Sequence, residues 1–132
     1  MNTKLLMIAS SFTLGILGLA ATFFPSEIFA YFNISNAGIA TLLLQVAGAL
    51  YVGFAMMNWM AKGNIIGGIY SKPLAMGNFT HYLVAALALI KGTAYYHEFR
   101  LMIMLAVLYT VFAILFGWLA FMPPSVKNNK VS

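Results

Sequence analysis

The sequence predicts an all-α protein, an integral membrane antiparallel four-helix bundle. Two observations carry that expectation. Seven basic and two acidic residues are the only formal charges, at Lys4, Glu27, Lys62, Lys72, Lys91, Glu98, Arg100, Lys127 and Lys130. None of them lies within the apolar runs 5–24, 37–61, 73–90 and 101–122. Each run approaches or exceeds the roughly 20 helical residues that cross a hydrocarbon core. Hydrophobic residues also make up 63% of the chain and charged residues 7%, where a soluble domain carries about 25% charge. Four spans with short connections use nearly all of residues 1–132 as one domain.

The first span places Ser11, Gly15, Gly18 and Thr22 on one helical face. Small residues at this spacing let membrane helices approach closely. Its apolar stretch exceeds the 7–15 residues of a signal-peptide core, so it reads as a retained helix. Residues 25–36 form a loop with Phe29, Tyr31 and Phe32, rings suited to a headgroup layer. The second span offers Ala49 and Gly53 as its smooth face and closes on Asn58 and Trp59. Pro73 suits the first position of the third helix, with Ser71 as cap. Ala85, Ala88 and Gly92 form the seam of that helix, and 91–100 is the loop after it. The fourth span aligns Ala106, Thr110, Ala113, Gly117 and Ala120.

Loop charges give an orientation. With the N-terminus in the cytoplasm, Lys4, Lys62, Lys72, Lys127 and Lys130 lie inside, and Lys91 and Arg100 lie outside with both acids. Basic residues favour the inner side. The expectation is a multi-pass protein of the bacterial inner membrane with both termini cytoplasmic. The basic residues make no stripe, so nucleic acid is not an expected partner. The absence of cysteine excludes disulfide exchange, thiolate metal sites and thiol-relay quinone chemistry.

Intramembrane polar groups are costly, so Gln45, Asn58, Asn78 and His81 are the residues to explain. Asn78 and His81, three apart, share a helical face. If the second and third helices pack as a hairpin, Asn58 meets them at the same depth. The connection between these helices carries Lys62, Gly63, Gly67, Gly68 and Lys72. Amides at a helix start and nearby lysines attract anions. The candidate ligand site is therefore Asn58, Lys62, Gly67, Gly68, Lys72, Asn78 and His81, suited to a phospholipid headgroup or quinone carbonyl. The plain alternative is that the amides and His81 tie helices together while the lysines anchor the loop at anionic lipid. His97 and Glu98 form a second polar cluster, read as an interfacial loop with a local Glu98–Arg100 pairing.

No carboxylate lies within a span, so paired-acid catalysis and acid-driven export are disfavoured. His81 and His97 would stand about 24 Å apart on a helix, too far to share one haem iron. No cofactor is specified. Three functions remain open. The first is a non-enzymatic protein binding a lipid-like or quinone-like ligand or a partner subunit near the inner leaflet. The second is a small transporter or channel with His81 titrating, and the third is a structural subunit. A homo-oligomer fits any of them.

The small-residue first helix, the segment Gly-Ala-Leu-Tyr-Val-Gly-Phe-Ala from Gly48 to Ala55, and the Asn-Trp-Met-Ala-Lys exit from Asn58 to Lys62 resemble small bacterial DoxX-like membrane proteins. That resemblance spans most of the chain and implies a four-helix membrane fold. In some such proteins it also implies an accessory role beside respiratory or sulfur-oxidising complexes. This chain lacks the cysteines and intramembrane charges that some members use, so the resemblance carries no redox role.

Overall fold

The computed structural model describes residues 2–35, 38–63, 72–96 and 99–121. Among them are five helices, α1 (Thr3–Phe23), α2 (Pro25–Tyr31), α3 (Ile39–Ala61), α4 (Lys72–Tyr95) and α5 (Arg100–Phe121). Helices α1, α3, α4 and α5 are long and apolar enough to cross a membrane. The chain divides into two compact units, Met1–Gly63 and Asn64–Ser132.

Two boundaries differ from those the sequence predicts. Part of the expected 25–36 loop is the short helix α2. Phe24, disfavoured from helical geometry by the following proline, ends α1 at φ −124°. Pro25 then opens α2, where its fixed φ suits the first helical position. Asn33 closes α2 in the left-handed region at φ 56°. Its amide donates to Ala30 O and the Ile34 amide to Phe29 O, the paired bonds of a Schellman cap. Helix α4 runs past Ile90 to Tyr95, which places Lys91 and Gly92 within it. A lysine near a membrane helix end carries its ammonium outward on a flexible stem, so it need not end the helix.

In the first unit α1 and α3 run antiparallel, with Ser10 facing Asn58 and Thr22 facing Gln45. Their backbones touch. A Cβ on Gly18 would fall 2.8 Å from Gly48 O, and one on Gly48 would fall 2.8 Å from Gly18 O. The expected α1 seam of Ser11, Gly15, Gly18 and Thr22 faces α3. The α3 seam is Gln45, Gly48, Val52, Ala55 and Asn58. Ala49 is exposed, and a Cβ on Gly53 would meet nothing within 4 Å. A small residue facing lipid costs little, so size alone did not choose between adjacent stripes. The amides of Gln45 and Asn58 mark the correct one.

The second unit pairs α4 and α5, also antiparallel, and it is held by rings. Tyr82 is fully buried. It stacks on Phe112 at 4.7 Å between centroids and on Phe116 at 5.6 Å, and meets Tyr109 edge-on at 5.2 Å. Gly117 leaves room for Phe79, whose ring lies 2.9 Å from where a Cβ would stand. Ala106, Ala113 and Ala120 of the expected α5 seam are buried.

Candidate functional site, a polar seam beside an apolar groove

Lipid offers no hydrogen bonds, so each polar side chain in a span must find a partner within the protein. The α1–α3 interface supplies them in series. Asn58 Nδ2 donates to Ser10 Oγ at 2.8 Å, and both residues are 0% exposed. Ser11 Oγ donates to Ala55 O at 2.7 Å. Gln45 Nε2 donates to Thr22 O at 3.2 Å, in the last turn of α1 where carbonyls lack intrahelical donors. Thr22 Oγ1 turns back to Gly18 O at 2.8 Å. The seam therefore spans most of the helix pair with its polar atoms directed inward.

A double-mutant cycle on Asn58→Ala and Ser10→Ala should give a coupling of about 0.6 kcal/mol, the average for hydrogen bonds between membrane helices, and no more than about 1.7 kcal/mol. Unfolding titrations in mixed micelles would measure it. A coupling near zero would show that the bond adds nothing over its alternatives in the bilayer.

On one flank of this seam the helices leave a groove of about 580 Å³, within the 300–1,000 Å³ range of ligand sites. Its floor is Ser11, Gly15 and Ala55, and its sides include Phe12, Ile16, Leu19 and Met56. The cause is local. Large side chains at 12, 16 and 19 stand beside small ones at 11, 15 and 18, so one stripe touches α3 while its neighbour projects past it. Gly15 keeps the floor low, since a Cβ there would touch Ala55 Cβ at 3.7 Å. Trp59 lines one end of the groove. Its ring meets Phe12 edge-on at 5.8 Å, and Lys62 Nζ lies over it, 2.8 Å from the centroid.

The residues expected to form the site fall into distinct settings. Asn58 and Lys62 belong to the first unit, and Lys72, Asn78 and His81 to the second. Asn58 is committed to the helix seam through Ser10. Asn78 is likewise 0% exposed, and its Nδ2 donates to Leu74 O one turn back at 2.9 Å. His81 is half-buried, with its ring 5.2 Å from Tyr82 and 5.9 Å from Tyr109. Lys72 is the exposed first residue of α4. Gly67 and Gly68 lie outside the described residues, as do Ser71, His97, Glu98, Lys127 and Lys130.

The second unit carries a smaller trough of about 350 Å³, lined by residues that include Ile90, Thr93, Ile103, Ala106 and Thr110. Its two hydroxyls are turned to their own helices, Thr93 to Ile90 O and Thr110 to Ala106 O. Among the described residues no three His, Cys, Asp or Glu side chains come together to hold a metal.

Sequence reasoning named Lys62 as a candidate and missed the groove whose end Trp59 lines. The signal was present as the large stripe 12, 16, 19 next to the small one. Compared with known proteins, the chain matches no protein-family model, no curated protein and no solved structure.

Proposed function

We propose that this protein is a non-enzymatic component of the bacterial inner membrane that holds a lipid-like or quinone-like molecule by its apolar tail. In this reading the four long helices cross the bilayer as an antiparallel bundle with both termini in the cytoplasm. The loop lysines support that orientation, because it places Lys4, Lys62 and Lys72 on the inner side. Kinship with DoxX-like proteins is part of the same proposal and rests on the segments around Gly48–Ala55 and Asn58–Lys62.

The observation that carries the reading is the groove itself. Its sides are exposed large apolar residues, including Phe12, Ile16, Leu19, Met56 and Trp59. Its polar floor atom, Ser11 Oγ, is bonded to Ala55 O. A surface of this kind accepts a hydrocarbon chain and offers no group to catalyse a reaction. Asn58 then has a supporting role, fixing the helix crossing that leaves the groove open.

Filling the floor tests this directly. Gly15→Leu should displace co-purifying lipid in native mass spectrometry, while Gly15→Ala should retain it. The alanine makes only ordinary contact with Ala55, so it controls for loss of the glycine, and unchanged helical circular dichroism controls for folding of the leucine variant. Equal lipid retention by both variants would sink the reading. Loss of a defined protein partner from Gly15→Leu, with bound lipid unchanged, would favour a subunit contact there instead.

A further inference from the structure

We infer that the groove selects an amphiphile with a net negative headgroup, and that Lys62 is the selecting residue. The inference rests on the reading that the groove holds an apolar tail. It adds what lies at the end of that tail.

The charges of the first unit are arranged unevenly. Ser10 pairs with Asn58 across the helices, so the start of α1 and the end of α3 lie at the same end. Lys4 stands at that start and Lys62 caps the end of α3. The described acid of this unit, Glu27, lies in the first turn of α2, beyond the opposite end of α1. The length of α1 between Lys4 and Phe23 separates the two ends by about 28 Å. That end of the helix pair therefore carries two ammonium groups, of which Lys62 adjoins the groove through Trp59, with no carboxylate near them among the described residues of this unit.

Lys62 is joined to the groove physically. Its Nζ rests on the ring of Trp59, and Trp59 lines the groove. The indole face covers one side of the ammonium, which has three donors, and leaves the rest for an anion. From Trp59 to Val52 the groove follows α3 for about two turns, or about 10 Å. A tail lying there would bring the first polar atoms of its headgroup to Trp59 and Lys62. A headgroup bearing a phosphate and a quaternary amine would set a third cation against Lys4 and Lys62. A headgroup bearing the phosphate alone would not.

Fluorescence of Trp59 reads this site. The chain has two tryptophans, and Trp118 is exposed, so Trp118→Phe leaves Trp59 as sole reporter. This variant is reconstituted into phosphatidylcholine vesicles doped with chain-brominated phosphatidylglycerol or chain-brominated phosphatidylcholine at equal mole fraction. Brominated phosphatidylglycerol should quench Trp59 more strongly. Lys62→Gln should cut that preference about fivefold, one basic residue's share of attraction to anionic lipid. Lys62→Arg keeps the charge and should keep the preference.

Equal quenching by the two lipids, or a preference that survives Lys62→Gln, overturns the headgroup inference while the groove still holds a tail. Quenching that is unchanged by Gly15→Leu, which fills the groove, overturns the underlying reading as well.

Discussion

Tyr82→Ala should destabilise the second unit by about 3 kcal/mol, the lower end of the range for removing a buried aromatic ring. Tyr82 is 0% exposed, and three rings of α5 close around it. In water much of such a loss is transfer free energy. A helix pair separated within a bilayer leaves the ring in lipid, which is about as apolar as the protein interior. What remains is the cavity and the lost dispersion with Tyr109, Phe112 and Phe116. Aromatic pairs of this geometry contribute about 0.5–1.5 kcal/mol each, so three of them reach the expected loss. Unfolding of the reconstituted protein, followed by near-ultraviolet circular dichroism, would measure it. Leu83→Ala, at an exposed neighbouring position, should change stability far less. If the two variants behaved alike, the ring stack would not be what joins α4 to α5.

The second large effect is expected at the opposite extreme of side-chain size. Gly48→Ala should cost about 1–3 kcal/mol through overpacking. The added Cβ would stand 2.5 Å from Thr22 Oγ1, 2.8 Å from Gly18 O and 2.9 Å from Thr22 N. Two of those atoms are backbone and cannot rotate away. Relief requires α1 and α3 to move apart, which lengthens the bonds from Asn58 to Ser10 and from Ser11 to Ala55. Gly53→Ala provides the contrast, since its Cβ meets nothing within 4 Å. That substitution should be neutral, or stabilising by up to about 1 kcal/mol through helix propensity. Thermal unfolding in one detergent would rank the pair. Equal melting temperatures for Gly48→Ala and Gly53→Ala would show that the close crossing is not required.

The two units thus solve one problem differently. Apolar burial does little to join helices inside lipid, so association needs contacts that lipid cannot match. The first unit uses close backbone approach and a line of hydrogen bonds, and the second uses stacked rings.

The sequence made the four long helices legible because membrane thickness imposes a length and excludes charge. It was less informative about faces. A span that is apolar all round has no polar side to mark what points inward. Ala49 and Gly53 therefore read as the contact stripe, whereas Gly48 and Ala55 make the contact. The same limit hid Tyr82 and Tyr109, whose contact exists only once α4 and α5 are paired. Helix α2 went unread because seven residues are too few to show a period. The α1 seam and most of the α5 seam were legible, because small residues recur there at helical spacing.

The expected site was legible in part. Lys62, a candidate from the sequence, lies over Trp59, and Trp59 lines the groove end. Asn58 and Asn78 drew attention because amides are costly in lipid, yet Asn58 donates to Ser10 Oγ and Asn78 to the Leu74 carbonyl. The cost of burying an amide is the reason it is bonded internally, so polarity alone does not separate a ligand contact from a helix tie. The groove depends on large and small stripes lying side by side across two helices, a relation that exists only once the helices are paired.

An experimental density map of the protein purified with its native lipids tests the central claim most directly. The account predicts elongated density over Ser11, Gly15 and Ala55, flanked by Ile16 and Met56 and ending beside Trp59 and Lys62. A groove closed by its own side chains, or open with ordered lipid bound only elsewhere, would contradict it.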